Sequence, residues 1–207
     1  MQNQNLENIR ESIREMADLA LAMLDTTFDG FMKHDLDILS GVLKEEQRLN
    51  EMESTIVRSL VGVSKSEISR SDKKDIILLT SIAADLEQIG DYVKDMVERI
   101  EIKIQENLLF SEEAFTEYKH LYSVIEAALS DAVNALKMQD DNFAKRSLRD
   151  KEHVDTLVEK YRDAHLQRLM AGICDPRSGN MFLNLIDFTA QIFHHTKIVA
   201  KNILKLK

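Results

Sequence analysis

The sequence predicts an all-α fold in which six long helices form two tandem antiparallel three-helix bundles. The 207 residues include one proline and six glycines, so few residues interrupt a helix. Apolar residues recur in steps of three and four along long stretches, which is the spacing of a helix packed in a bundle. With 44% hydrophobic residues, the chain can bury one long core or two smaller ones.

Polar segments divide the chain into six predicted helices. Residues 62–75 are polar and contain Ser71 and Asp72 as candidate N-caps. Residues 172–179 hold the single proline between two glycines, and Ser111 is a further candidate cap. The predicted helices are approximately residues 4–32, 35–62, 73–106, 112–138, 141–171 and 179–206.

The chain also aligns with itself. A shift of 105 residues places residues 31–43 over 136–148, with Asp35 over Asp140. Helical periodicity can align by chance, yet the shared polar turn favours a duplication. The predicted division is a first three-helix repeat over residues 1–107 and a second, degenerate repeat over residues 108–207.

Composition excludes several classes of protein. A net charge of −9 and a pI near 5.2 oppose nucleic-acid binding, which depends on neutralising phosphates with basic residues. Cys174 is the single cysteine, so neither an intrachain disulfide nor a zinc site built from several cysteines is available. No apolar run approaches the roughly 18–20 residues that span a bilayer. We therefore expect a cytoplasmic chain, either free-standing or part of a larger membrane protein.

Two carboxylates on the third predicted helix are the strongest indication of a site. Glu87 and Asp91 lie one helical turn apart, on one face, with Gly90 between them. A glycine inside a helix costs about 1 kcal/mol relative to alanine, so Gly90 indicates a close approach to the backbone. An exposed acidic pair beside a packing glycine is the ordinary alternative. The apolar seam of this helix comprises Leu79, Ile82, Leu86, Ile89, Val93, Met96 and Ile100.

The second predicted helix offers a matching set of polar groups. Glu46 and Glu53 fall where the seam calls for apolar residues, and Asn50 lies on the same face. If the two helices pack antiparallel, this face can meet Glu87 and Asp91 and form an oxygen-lined groove. Such a groove suits cations that accept carboxylate ligands, and an incompletely coordinated ion would offer open positions to phosphate. A solvated acidic stripe is the alternative.

The sequence resembles the PhoU family of phosphate-uptake regulators. LEQIGD at 86–91 is similar to the LERIGD signature of that family. The order KEEQRLNEMESTI at 44–56, IAADLEQIGDYVKDM at 82–96 and SLRDKEHVDTLVEKY at 147–161 resembles its two-repeat layout. Two stretches look more like the PhoU-like cytosolic domains of bacterial sodium/phosphate cotransporters, namely LLFSEEAFTEYKHL at 108–121 and AHLQRLMAGICDPRSG at 164–179.

The resemblance implies a metal site. Family members fold as paired three-helix bundles, and several bind iron or zinc clusters through E(D)-x-x-x-D motifs on two neighbouring helices. Carried over to this chain, the ligands are Glu46, Asn50, Glu87 and Asp91, with asparagine in place of one carboxylate. The implied cofactor is a divalent or trivalent metal ion, with iron and zinc as the candidates.

The second repeat departs from this pattern. Its matching positions are Lys151 with Asp155 and Ala190 with His194, so three of the four expected acids are missing. A second metal cluster is therefore not expected. His194 and His195 could instead form a different zinc or iron site with Asp155, although neighbouring residues point about 100° apart on a helix.

The resemblance also implies a function. It predicts a regulator of phosphate transport and phosphate homeostasis that acts as an adaptor to a membrane phosphate transporter or its sensor complex. Inorganic phosphate is a candidate ligand, a homodimer is plausible, and catalysis is not expected. A helical scaffold or partner-binding module without metal is one alternative. The other is a di-iron carboxylate enzyme, for which Glu117 and His120 alone provide the E-x-x-H spacing.

Overall fold

The computed structural model describes residues 2–65, 68–149 and 151–206. These ranges contain helices and loops but no strand, which confirms the all-α prediction. The fifth predicted helix corresponds to α5 and α6, which flank residue 150. The helices are α1 (Gln2–Lys33), α2 (Leu36–Ser64), α3 (Arg70–Gln105), α4 (Glu112–Met138), α5 (Asp141–Arg149), α6 (Lys151–Met170) and α7 (Pro176–Ile203).

Two helix starts lie three residues before their predicted positions. The cap of α3 is Ser69, not Ser71 or Asp72, because Ser69 and Asp72 form a reciprocal capping box. The last helix begins at Pro176, three residues before the predicted start, because a proline fits the first turn, where its missing N–H is not needed. Asp175 caps this turn by accepting hydrogen bonds from two backbone N–H groups.

The same turn occurs twice, 105 residues apart. His34 and Gln139 both have left-handed backbone conformations, with φ of 54° and 53°. Each is followed by an aspartate whose side chain caps the next helix: Asp35 accepts from two backbone N–H groups, and Asp140 accepts from one. This recurrence supports the predicted duplication, while the repeat boundaries at residues 107 and 108 stay a prediction.

The helices pack as two three-helix bundles. Helices α1, α2 and α3 contact one another, and α4 and α7 pack together with α5 and α6. The bundles are joined by a long contact of α3 with α7 and a smaller one of α1 with α4. The aromatic rings of Phe28 and Tyr122 stack across the second contact, with centroids 3.8 Å apart. Helix α3 is therefore surrounded on several sides, and it carries the predicted acidic pair.

None of the helices in residues 2–65, 68–149 and 151–206 contains an apolar stretch that could span a bilayer.

Candidate functional site

The predicted seams of α2 and α3 are buried as expected. All seven apolar seam residues of α3 lie in the core. In α2 the buried seam also contains Glu46, whose exposed fraction is 3%, while Glu53 is half-buried. A carboxylate at this depth needs donors or a cation nearby. Glu46 is therefore the central residue of the candidate site.

Gly90 allows α2 and α3 to approach closely at this point. A Cβ placed on Gly90 would lie 2.2 Å from Cδ2 of Leu49. The close approach that the sequence predicts is thus made by a side chain of α2. Because Leu49 precedes Asn50 and lies one turn after Glu46, its contact with Gly90 brings the polar faces of the two helices together. We call the surface formed by Glu46, Asn50, Glu87 and Asp91 the acidic groove.

Hydrogen bonds within the acidic groove centre on Glu46. Its Oε1 accepts a hydrogen bond from Nδ2 of Asn50 at 2.7 Å and lies 3.4 Å from Nζ of Lys94. Lys94 is absent from the predicted site, although the sequence holds the signal: it follows Asp91 by three residues and so lies on the same face of α3. Glu87 accepts a hydrogen bond from the side chain of its neighbour Gln88 at 2.9 Å.

The electrostatics show that the carboxylates of the two helices affect one another. The pKa of Asp91 is raised, first by burial and then by the negative charges of Glu87 and Glu46. The Lys94 ammonium opposes this rise. Conversely, the charge of Glu46 and its hydrogen bond raise the pKa of Lys94. The structure therefore places Asp91 where the charges of Glu46 and Glu87 act on it, and Asn50 in hydrogen-bond contact with Glu46. Lys94 is a counter-ion to Glu46.

The sequence comparison matches the part of the chain that carries this groove. Residues 13–100 match the family described as the PhoU domain, a span that includes all four groove residues. This part of the chain is similar to the PhoU domain. A relative from Aquifex aeolicus (strain VF5), called phosphate-specific transport system accessory protein PhoU homolog, is 22% identical over 174 residues, which cover 84% of this chain and 76% of the relative.

Solved structures of PhoU proteins share the fold. PhoU from Pseudomonas aeruginosa superposes with a TM-score of 0.90 at 20% identity, covering 99% of this chain and 97% of that one. The phosphate transport system regulatory protein PhoU from Streptococcus pneumoniae gives a TM-score of 0.87 at 15% identity, with coverage of 99% and 95%. These likenesses extend over both bundles, whereas the domain match ends within α3.

The donor set of the acidic groove suits a hard or borderline cation. Three carboxylates and one amide supply oxygen atoms, and Oδ1 of Asn50 is buried without a hydrogen-bond partner in the described part of the chain. As the side chains stand, no three His, Cys, Asp or Glu residues in the described ranges are placed to enclose a metal ion. Lys94 forms an ion pair with Glu46. A bound cation would therefore have to replace Lys94 at the Glu46 carboxylate or share that carboxylate with it.

The corresponding face of the second repeat has fewer acidic side chains than the acidic groove. Asp155 is 63% exposed on its side chain and lies 3.9 Å from Nζ of the buried Lys197. Ala190 is half-buried and brings no ligand atom, and the side chain of Lys151 lies outside the described residues. This face therefore pairs one acid with a lysine, and the degenerate character of the second repeat stays a prediction.

The two histidines of α7 do not meet Asp155. His195 places Nδ1 2.8 Å from Oδ1 of Asp85, a buried residue of α3, whereas His194 is exposed. The two rings lie almost perpendicular to each other. Because adjacent residues point in different directions on a helix, only His195 faces α3. Sequence reasoning missed this histidine–carboxylate pair, because Asp85 lies 110 residues away in the chain.

The side chains of Glu117 and His120, which have the E-x-x-H spacing of a di-iron site, form hydrogen bonds with other residues of this chain. Glu117 accepts two hydrogen bonds from the guanidinium of Arg168, at 3.1 and 2.6 Å. Nδ1 of His120 lies 2.6 Å from the hydroxyl of Tyr161. These contacts attach α6 to α4, so packing accounts for the spacing of Glu117 and His120.

Proposed function

We propose that this chain is a cytoplasmic regulator of phosphate transport whose acidic groove binds a metal ion. The observation that carries the proposal is the buried Glu46, set against Glu87 and Asp91 within the PhoU domain. The Aquifex aeolicus relative is named as an accessory protein of a phosphate-specific transport system, which supports the same biological setting. In this proposal the chain is an adaptor that performs no catalysis.

In the proposed site, Glu46, Asn50, Glu87 and Asp91 hold a divalent or trivalent ion such as iron or zinc. The ion would supply open coordination positions to inorganic phosphate. The residues themselves provide negative charge that is only partly compensated, as the raised pKa of Asp91 indicates. Without a cation, Lys94 supplies the positive charge beside Glu46.

The proposed output is a change in docking. Phosphate occupancy of the groove would favour one of two binding states of the chain with a membrane phosphate transporter or its sensor complex, at the inner face of the cell membrane. A sodium/phosphate cotransporter is the first partner to test, because the sequence resembles the cytosolic domains of that class. A homodimer belongs to the same proposal.

Metal content tests the site directly. Native protein, Glu87→Ala/Asp91→Ala and the control Glu51→Ala/Glu98→Ala are purified in parallel and analysed for iron and zinc by mass spectrometry. We expect bound metal in the native protein and in the control, and a loss of most of it in the groove variant. The control removes the same number of charges from exposed positions of α2 and α3. Equal metal content in all three proteins would remove the groove from consideration.

Phosphate uptake tests the regulatory role. Cells that lack this protein should take up radioactive phosphate faster in phosphate-rich medium than cells that contain it. Native protein and Glu51→Ala/Glu98→Ala should restore the slower rate, whereas Glu87→Ala/Asp91→Ala should not. An unchanged uptake rate in cells without the protein would contradict the regulatory proposal.

One observation favours the metal-free alternative, a helical scaffold that binds a partner. Lys94 already neutralises part of the charge on Glu46, so the groove has a protein counter-ion. The metal-binding regulator and the metal-free scaffold make different predictions for the groove variant. A scaffold predicts that Glu87→Ala/Asp91→Ala restores phosphate uptake control as well as native protein does.

A further inference from the structure

A second candidate site lies at one end of the molecule. A cavity of about 820 Å³ opens where α1 and α3 begin and α4 and α7 end. It is lined by residues of both bundles, and no residue of the acidic groove contributes to it. Small-molecule sites in proteins commonly have volumes of about 300–1,000 Å³. This space, called the end cavity below, is large enough for a small organic ligand.

Asp75, which lines the end cavity, has a carboxylate oxygen without a hydrogen-bond donor within the described ranges. This residue lies in the second turn of α3 and is 3% exposed. Its Oδ2 accepts a hydrogen bond from Nη2 of Arg10 at 2.7 Å. Its Oδ1 is buried and has no hydrogen-bond partner among the residues that the structure describes. A buried carboxylate oxygen without a donor is unfavourable, so the wall of the cavity calls for an N–H or O–H group.

The remaining surface of the end cavity suits an aliphatic chain. Apolar side chains from all four helices and from the segment after α7 face it, and no aromatic ring lines it. An extended hydrocarbon body is therefore a better match than a stacked ring. The apolar lining consists mainly of Leu6, Ile13, Leu79, Leu136, Ile203 and Leu206.

The charges around the end cavity favour a cation. Four acidic and two basic side chains line it, which leaves a formal balance of two negative charges. Both arginines are engaged: Arg10 with Asp75, and Arg14 with Glu7 and Glu11. A ligand with a carboxylate would be repelled by Asp75, whereas an ammonium group would be attracted and could donate to it. The charged lining residues are Glu7, Arg10, Arg14, Asp72, Asp75 and Asp141.

We propose that the end cavity binds a small aliphatic compound with a primary ammonium group. The ammonium N–H donates to the carboxylate of Asp75, and the hydrocarbon chain lies against the leucine and isoleucine wall. This site is separate from the acidic groove and does not depend on the proposed metal.

Three probes of equal chain length test the proposal on native protein: n-hexylammonium chloride, 1-hexanol and sodium hexanoate. Isothermal titration calorimetry should give an affinity for hexylammonium at least about tenfold above that for hexanol, because a hydrogen bond to a charged group discriminates by this amount. Hexanoate should show no binding. Equal affinities for the ammonium and the alcohol would overturn the proposal without any variant.

Matched variants locate the site. Asp75→Asn should lower the hexylammonium affinity by about tenfold, since the substitution keeps the shape and removes the charge. Asp141→Asn removes one exposed charge from the same lining and should change the affinity by less than about twofold. Glu87→Ala/Asp91→Ala should bind hexylammonium normally. An equal effect of Asp75→Asn and Asp141→Asn, or loss of binding in the groove variant, would contradict the assignment.

Discussion

At the residue scale, the acidic groove is a set of carboxylates with too little positive charge. Glu46 is buried and shares its oxygen between Asn50 and Lys94, and Asp91 shows the consequence in its raised pKa. Burial is the first cause of that rise, and the two neighbouring carboxylates add to it. Ionised Asp91 therefore destabilises the metal-free fold, whereas a bound cation would reverse the effect.

Replacing Asp91 by asparagine should stabilise the metal-free protein at pH 7. The expected gain is about 0.2–0.5 kcal/mol, the usual cost of two like charges one helical turn apart. A carboxyl with a raised folded-state pKa destabilises the fold most above that pKa. The gain should vanish as the pH falls below the ordinary value of 3.8, because the carboxyl is then protonated in both the folded and the unfolded state. Urea unfolding of metal-free native protein and Asp91→Asn at both pH values measures the difference.

Glu98→Gln serves as a control for this prediction, because it removes an exposed charge from the same helix. Its unfolding free energy should remain close to that of native protein. A lower stability of Asp91→Asn at pH 7 would show that the ionised carboxyl is already compensated in the metal-free protein.

At the element scale, the contact of α2 with α3 depends on one missing side chain. Leu49 fills the space above Gly90, and both residues are buried in the core. Helix propensity alone would favour alanine at position 90. Packing against α2 outweighs propensity there, because an added methyl group would lie 2.2 Å from a carbon of Leu49. The spacing of the two acidic faces is fixed by the same contact.

Gly90→Ala should therefore destabilise the protein by about 1–3 kcal/mol, the range for overpacking a well-filled core. Gly41→Ala is the matched control, because no atom lies within 4 Å of the added Cβ and the site is inside α2. The control should gain up to about 1 kcal/mol from helix propensity. Chemical denaturation measures both values, and a stabilised Gly90→Ala variant would mean that Leu49 can move aside freely.

At the scale of the whole molecule, α3 and α7 hold the two bundles together. His195 of α7 contacts Asp85 of α3, and the side chain of Asn202 donates to Ser81 on the same two helices. The pKa values of three histidines are lowered, first by burial: His34 in the first bundle, and His165 and His194 in the second. Lys103 lowers the pKa of His34 further. Acid should consequently weaken both bundles.

Stability should fall as the pH drops below 6.5, the ordinary histidine value. A histidine with a lowered folded-state pKa binds its proton more readily in the unfolded chain, so its contribution to stability is complete above 6.5 and is lost as the pH falls towards the folded-state pKa. His34→Asn should reduce this dependence, and asparagine tolerates the left-handed conformation at position 34. Thermal unfolding from about pH 8 to 5 provides the measurement. Parallel curves for native protein and variant would contradict the role of His34.

Much of the fold and part of the candidate site could be predicted from local patterns. The seam of α3, the buried position of Glu46 and the acidic pair at Glu87 and Asp91 follow from helical periodicity, which repeats every few residues. Lys94 was also within reach of this reasoning, because it continues the same face. The start of α3 was misplaced, since a serine two residues earlier could cap equally well and only backbone geometry distinguishes them.

Local sequence is enough to establish that the chain is helical, where its apolar faces lie and which residues carry the oxygen atoms of the groove. These properties depend on neighbours within one or two helical turns. The packing of the helices was needed to show that Leu49 contacts Gly90, that His195 pairs with Asp85, and that Asp75 lines a cavity between the bundles. Those contacts join residues far apart in the chain, and they depend on how helices shift and rotate against one another, which local periodicity does not fix.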